Sequence, residues 1–493
     1  MKIKSILFLF GIVFFGACDD FLERPPLAQA TEGNFPSSSA DAVLATNGVY
    51  NMMRSWNLHS GGFPILDIMT DQATKGTNPG DGSSTAPFEN FSFDAFDGAF
   101  QRWYVEMYEG IRRANLAINE VPKITMDTVL QGRLIAESRF LRGYFYSVLV
   151  RGFGRVPIVL DVNPELDLLQ SASDEIWDDL VILDLEHAAR HLPERSEYDN
   201  EDMGRITKGT AKGLLARIAL FRGDFESTKK WTEEVIASGQ YDLEPDFSDV
   251  FTSENEAGLE SVWEIPALPF NFGEGGNQYA NTLAVRGEPN RGWGFGRPAY
   301  SWITTMLNNE DPRLESSVIF LGEELDGTTI VGDGPTPDTT YNDQNVIIEI
   351  ECYNQKVWHP GELAEESFGH NKRMIRFADI LLMAAEANNE LGNASLALEY
   401  LERVRARARS GNAAILPEVT TTDQAALRLA IEEERNFELA FEGLRYWDLV
   451  RTGRAKDILT PLGFVDGKHQ LMPIPQSEID ITEKRMTQNP LYE

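Results

Sequence analysis

Three groups of residues in this chain have the types and spacing to do chemistry, and they point to binding more than to catalysis. His187 and His191 stand four apart in LEHAARHL, so a helix would present both on one face, where they could share a metal ion or lie on a solvated surface. No third ligand stands nearby. The 77 acidic residues could supply a carboxylate pair for glycosidic hydrolysis almost anywhere, so their abundance selects none. The third group is a ring-rich loop, FNFGEGGNQYANTLAVRGEPNRGWGFG, in which Phe272, Tyr279 and Trp293 alternate with Asn271, Gln278 and Arg291. A sugar has an apolar face of C–H groups and an equator of hydroxyls, which a flat ring flanked by amides and a guanidinium matches. The alternative is that these rings plug the loop onto its scaffold. Asp71, Gln72 and Lys75 in TDQATKG are polar candidates from a second loop. The motifs H-E-x-x-H, G-x-S-x-G and G-x-x-x-x-G-K-[ST] are absent, so zincin, hydrolase-elbow and P-loop chemistry have no sequence support. Nothing implies a cofactor. The Asp-rich stretch GDGPTPDTTYNDQN lacks the ligand order of an EF-hand.

Cys18 is reactive for a different reason. Lys2 and Lys4 precede an apolar run from Ile6 to Phe15, too short for the ~20 residues of a spanning helix and therefore an export signal. The run ends in Phe15-Gly16-Ala17-Cys18, which resembles a bacterial lipobox, whose cysteine becomes the acylated N-terminus. The alternative is a plain signal peptide with an incidental cysteine. Acyl chains contribute ~0.8 kcal/mol per buried methylene, enough for two or three to hold a protein on a membrane without a spanning helix. Lipidation would consume one of only two cysteines and leave Cys352 without a disulfide partner.

Formal net charge is −33, and loss of Lys2 and Lys4 with the signal takes it to −35. Such a surface repels nucleic-acid phosphates and anionic lipid head groups, which leaves neutral or cationic ligands and protein partners. With 42% hydrophobic and 25% charged residues, the chain has the composition of an ordinary globular protein.

The elements that must position these groups are helical. In RFADILLMAAEANNELGN the apolar positions Phe377, Ile380, Leu381, Ala384, Ala387 and Leu391 keep i, i+3, i+4 spacing until Gly392-Asn393. A second amphipathic helix follows through Leu398, Leu401, Val404 and Ala408, so the two must lie antiparallel. The same hairpin occurs around Gly223-Asp224, offset by the 169 residues that separate Gly223 from Gly392. At that offset Ala216 matches Ala385, Trp231 matches Tyr400 and Val235 matches Val404, the order of a tetratricopeptide-type repeat. GIRRANLAINEV, RLIAESRFLRGYFYSVLVRGFG and EIWDDLVILDLEHAARHL are further helices. Between the helical blocks, about Asn57 to Phe100 and about Ala267 to Thr340, Gly, Asn, Pro, Ser and aromatics dominate. Loops this long on a helical scaffold suit a binding protein.

The lipobox, the RLIAESRFLRGYFYSVLVRGFGRVPIV block, GWGFGRPAYSWITTML with its following DPR, IRFADILLMAAEA, EEERNFELAFEGLRYWDLVRTGR, LMPIPQSEID and TQNPLYE together resemble the SusD/RagB family of nutrient-uptake lipoproteins. Glu434, Arg435, Glu438, Glu442, Arg445 and Asp448 alternate in sign at helical spacing and read as ion pairs on one structural helix. The resemblance implies a mainly α fold, with tetratricopeptide-like helical hairpins as scaffold and an irregular loop-rich ligand-binding part. It implies residues 1–17 as signal, 18–259 as an N-terminal helical region and 260–493 as a C-terminal region carrying the aromatic loops. It further implies a non-enzymatic, lipid-anchored outer-membrane receptor, exposed at the cell surface. Such a receptor passes oligosaccharides, or in some members peptides, to a SusC-type TonB-dependent transporter. A surface glycoside hydrolase on a helical scaffold is the rival. Trp293 corresponds to a loop tryptophan that contacts sugar in a starch-binding member, and Phe272 and Asp71 fall near other pocket positions. Metabolic labelling with a palmitate analogue should tag the wild-type chain in the membrane fraction, and Cys18→Ser should abolish the tag.

Overall fold

The computed structural model describes residues 35–59, 65–78, 80–164, 168–268, 277–358 and 369–492; Cys18 with its export segment, Asn271 and Phe272 lie outside these residues. The repeated turn accounts for the scaffold. Helices α5 (Lys208–Phe221) and α6 (Phe225–Ala237) are joined at Gly223, and α8 (Phe377–Glu390) and α9 (Ala394–Ala408) at Gly392, with φ of +75° and +80°. Both glycines take the left-handed conformation that ends a helix without Cβ strain. The next residue donates backward in each case, Asp224 N–H to the Ala219 carbonyl at 2.9 Å and Asn393 N–H to the Asn388 carbonyl at 2.7 Å. These bonds fall at the same 169-residue offset as the side chains. Ala216, Ala385, Val235 and Val404 are fully buried, and α6 packs on α8, so the hairpins stack.

The other helices extend this stack. Helix α1 (Ser39–Met52) packs on α2 (Gly98–Glu120), and α2 pairs with the long α3 (Thr128–Phe153). Gly110 makes that crossing close, since a Cβ there would lie 2.5 Å from the Phe145 ring. Helix α4 (Ile182–His191), entered through a π-turn at Trp177–Val181, bridges α3 and α5. Helix α7 (Tyr300–Asn308) lies in the irregular part, and α10 (Gln424–Glu438) and α11 (Arg445–Arg451) close the C-terminal side. The largest core cluster runs from Val49 to Met486 and draws on both sides of residue 260. No helix among the described residues is long and apolar enough to cross a membrane.

Strands among the described residues are short and paired in twos. β1 (Ala73–Gly76) pairs antiparallel with β3 (Phe295–Pro298), and β2 (Ser261–Ile265) with the strand Lys372–Arg376 that leads into α8. The first of these ladders unites the two irregular stretches of the sequence, with Ala73 opposite Pro298 and Gly76 opposite Phe295.

The alternating charges around α10 differ from expectation in one respect. They form structural ion pairs, but not along one helix. Helix α10 stops at Glu438, and Phe441 and Gly443 take φ of +62° and +73°, which turns the chain before α11. The pairs are then made across the fold. Glu438 Oε1 accepts from Arg376 at 3.0 Å and also from Arg407, while Oε2 accepts from Arg313 at 2.9 Å. Arg376 also holds Glu442 and Glu260, and Glu434 takes Arg313 and Arg405. Arg435 joins Asp379 to Asp448, at 2.8 and 2.9 Å. Burial alone would raise the Glu438 carboxyl, but the Arg407, Arg376 and Arg313 guanidiniums outweigh it and hold the group well below the usual carboxylate range. Asp448 is likewise depressed against burial by Arg435 and Arg451, and Asp379 by Arg217 and Arg435. Elsewhere burial prevails, pushing Asp67 up to about 6 and Glu256 up to about 7.

Glu438→Gln leaves three guanidiniums short of a countercharge in the interior and should cost roughly 3–5 kcal/mol in urea unfolding. The pH profile has two limbs. Asp67 and Glu256 bind protons more readily folded than unfolded, so they add stability as pH falls from about 7 towards about 5. The depressed carboxylates contribute fully above the ordinary carboxylate range of roughly 4, and that contribution is lost as pH falls through their folded values. The imidazoles of His59, His187 and His469, held below their ordinary value by desolvation, lose stability as pH falls over the interval in which Asp67 and Glu256 add it, and offset that gain. Unfolding free energy should therefore change little between pH ~7 and ~5 and drop steeply below pH ~4. Stability that stays level down to pH ~2 would contradict this assignment.

Candidate functional site

The β1–β3 ladder brings two loops side by side. Thr77 N–H donates to the Gly294 carbonyl at 2.7 Å, Trp293 N–H to the Asn281 carbonyl at 2.8 Å, and Gly294 N–H to the Ala284 carbonyl at 3.0 Å. Gly82, at φ +56°, must be glycine for a second reason: a Cβ there would lie 2.4 Å from the Phe295 ring. Arg286 clasps the loops from behind by bonding Thr77 and Asp81 and pairing with Asp333 at 3.2 Å.

Between these loops and the α1–α2 pair lies a cleft of about 200 Å³. Trp56, which follows α1, and Trp293 line it with ring centroids 5.4 Å apart and planes at 61°. Trp56 is 39% exposed although it is a large ring, while Phe88 and Trp103 are buried beneath the pair. One rim is polar and held in place. Arg102 Nε donates to Asn57 Oδ1 at 3.2 Å, and the Asn57 amide nitrogen and Ser55 hydroxyl both donate to Glu106. This chain fixes the Asn57 amide and leaves the terminal Arg102 nitrogens as donors beside the rings. Ser84 and Thr85 add hydroxyls on the opposite loop. No carboxylate lines the cleft among the described residues. Such a site can stack on an apolar ring face and bond the hydroxyls around it.

Of the ligand residues expected from sequence, the cleft takes Trp293; the structure uses the others elsewhere, and Phe272 lies outside the described residues. Asp71 receives both Nε and Nη2 of Arg445, at 2.9 and 2.8 Å. Gln72 is buried and spans to α10, donating to the Asn436 carbonyl at 2.9 Å and accepting the Phe441 N–H. Lys75 Nζ donates to the Asp81 carbonyl at 2.8 Å, and burial lowers its pKa. Tyr279 is buried with the Lys372 ammonium 4.6 Å from its ring centre, and the Arg291 guanidinium lies 5.2 Å from the Trp358 ring centre. None of these five side chains lines the cleft, and each has a polar or ring partner within the protein.

Sequence reading missed Trp56, Asn57, Arg102 and Phe295. A tryptophan one residue outside a glycine- and serine-rich loop was the available signal for Trp56, and the i, i+4 pair Arg102 and Glu106 on an amphipathic helix was that for the rim. His187 and His191 stack at 4.1 Å, and burial lowers the His187 imidazole to about 4. No group of three or more potential metal ligands occurs among the described residues, the Asp-rich 332–345 segment included.

With this geometry in view, the chain matches two family models: one described as the SusD family over residues 260–470, and one described as starch-binding associating with outer membrane over residues 70–220. SusD-like protein P25 of Formosa agariphila is 27% identical, with 98% of this chain and 97% of that protein aligned. Among solved structures, a laminarin-binding SusD-like protein is 26% identical at a TM-score of 0.76, covering 92% of this chain and all of the other. Surface glycan-binding protein A of Bacteroides thetaiotaomicron, in complex with laminarihexaose, shares the fold at 24% identity, with a TM-score of 0.74 over 92% of this chain and all of the other.

Proposed function

The chain belongs to the SusD/RagB family, and we propose that it is a cell-surface receptor that captures an oligosaccharide in the Trp56–Trp293 cleft and delivers it to a SusC-type TonB-dependent transporter. The observation that carries the reading is the pairing of an exposed Trp56 with a half-buried Trp293 beside the fixed Arg102–Asn57–Glu106 rim. Two rings offer apolar faces to a pyranose, and the guanidinium offers paired donors to its hydroxyls. A neutral sugar is also the ligand that a strongly acidic protein does not repel.

The receptor binds without breaking a bond. Hydrolysis of a glycoside needs two carboxyl groups facing the scissile oxygen. The cleft-lining residues among those described contain none, and the nearby Glu106 spends its oxygens on Ser55 and Asn57. Anchoring through acylated Cys18 on the outer face of the outer membrane follows from the lipobox and the acids Asp19 and Asp20 behind it. The membrane placement agrees with the outer-membrane description of one matching family model. The transporter as partner rests on family membership.

The laminarin-binding relative makes a glucan the first ligand to test. Isothermal titration should show binding of laminarihexaose without turnover, and Trp293→Ala should cost about 2 kcal/mol, roughly 30-fold in Kd, with little change in unfolding midpoint. Binding of peptides alone, or release of shorter sugars that stops when one acid is replaced, would overturn the reading.

A further inference from the structure

The cleft is one of three depressions that follow one another along the end of α1. Beyond the rim, Asn51, Met52, Arg54 and Ser55 form one wall of a basin of about 390 Å³. Glu106, Glu109 and Arg113 of α2 form its other wall. Arg102, Glu106, Glu109 and Arg113 recur at the spacing of one helix face, so the strip runs along about 16 Å of α2. It is held rigidly: Arg113 donates to the Gly48 carbonyl at 3.1 Å and to Glu109 at 2.8 Å, which lashes α2 to α1. Asn51 and Arg54 also border a third depression, a cavity of about 430 Å³.

That cavity shares the cleft's apolar floor and amide rim but also carries two carboxylates, Glu201 and Glu264, the second of which accepts from the Ala257 N–H and the Asn371 amide. Its floor is apolar, with Met53, Leu141, Trp263 and Ile265 buried there. Its rim carries two amides one helical turn apart, each oriented by an arginine. Asn47 Oδ1 accepts from Arg205 at 3.0 Å, and Asn51 Oδ1 accepts from Arg54 at 2.7 Å. With both acceptors engaged, each amide keeps its nitrogen as a donor, the group that bonds a sugar hydroxyl oxygen. At 430 Å³ the cavity is of ligand-pocket size, whereas the cleft, at about 200 Å³, encloses less than a drug-sized molecule.

From this continuity we infer a second glycan subsite, formed by Asn47, Asn51 and Arg54, which a chain seated in the tryptophan cleft reaches over the Ser55–Glu106 saddle. The inference rests on the glycan-binding reading of the cleft and adds a second point of contact to it. Joining two contacts through one ligand raises affinity for chains long enough to reach both, and leaves short ones unaffected.

The test compares laminarihexaose with laminarin polysaccharide by calorimetry, using the mature full-length chain. The long glucan should bind at least tenfold more tightly per chain than the hexamer. Asn51→Ala with Arg54→Ala should erase that difference while leaving the hexamer Kd unchanged, and Asn47→Ala should reduce it; circular dichroism checks that each variant folds. Trp293→Ala should weaken both ligands. Equal affinities for the two wild-type ligands, or a long-chain advantage that survives loss of Asn51 and Arg54, would overturn the second subsite and leave the cleft reading standing. A polysaccharide whose binding depends on Arg54 but not on Trp293 would mean two independent sites and would overturn the continuous path. Binding of neither glucan would remove the glucan reading, and the inference with it.

Discussion

The structure depends on the buried charge cluster around Glu438. One carboxylate meets guanidiniums from three directions: Arg313 from the irregular part, Arg376 from the strand that enters α8, and Arg407 from the end of α9. Unpaired, any of these ions would be prohibitive in an interior of low dielectric; paired and hydrogen-bonded together, they fix where three separate segments meet. The same constraint reaches the cleft. Immediately after Glu438 the chain turns, and the turn receives Gln72 through the Phe441 N–H and Asp67 through the Gly443 N–H at 2.9 Å. Arg445 then holds Asp71. Residues 67–72 lead directly into β1, so the loop that carries one wall of the cleft is referenced to the charge cluster and not to solvent.

Much of the scaffold could be read because repeats announce themselves in two ways at once. Ala216 and Ala385, or Val235 and Val404, are legible as side chains at helical spacing, and Gly223 and Gly392 as the backbone stops between them. Both signals are local, and local signals survive in a single sequence. What could not be read was where α10 ends. Glu434 to Asp448 keeps its alternation through the break, because charges chosen for distant partners happen to preserve a helical period. A periodic pattern reports a face only when one helix carries it.

The candidate binding residues divide along the same line. Trp293 stands out because aromatic residues among glycines have few structural duties in a loop, and it lines the cleft. Tyr279 and Arg291, in the same loop, satisfied the same criterion and were consumed by Lys372 and Trp358, partners 93 and 67 residues away that no local pattern reveals. Gln72 and Lys75 were drawn to backbone carbonyls for an equally plain reason: a polar side chain that becomes buried must find a partner, and in a loop-rich region the carbonyls are at hand. Conversely, Arg102 and Asn57 resembled ordinary surface polarity until the fold set them beside two rings.

A site made of loops would ordinarily lose affinity to the entropy of ordering them. Here that cost is met during folding. The β1–β3 ladder, the Thr77–Gly294 bond and the Arg286 clasp hold both loops, and the Asn57–Glu106 chain holds the rim, before any ligand arrives. An oligosaccharide is itself flexible and gives up torsional freedom when it binds, so a receptor that also had to organise its loops would bear both losses. Preorganisation leaves only the ligand's share. It also favours the contacts the cleft offers: rings need no hydration-shell rearrangement beyond the apolar face they cover, and an arginine already oriented by Asn57 has fewer rotamers to surrender. A cleft built this way suits a flexible, uncharged ligand, for which shape and rigidity count and the strong negative charge of the protein contributes nothing.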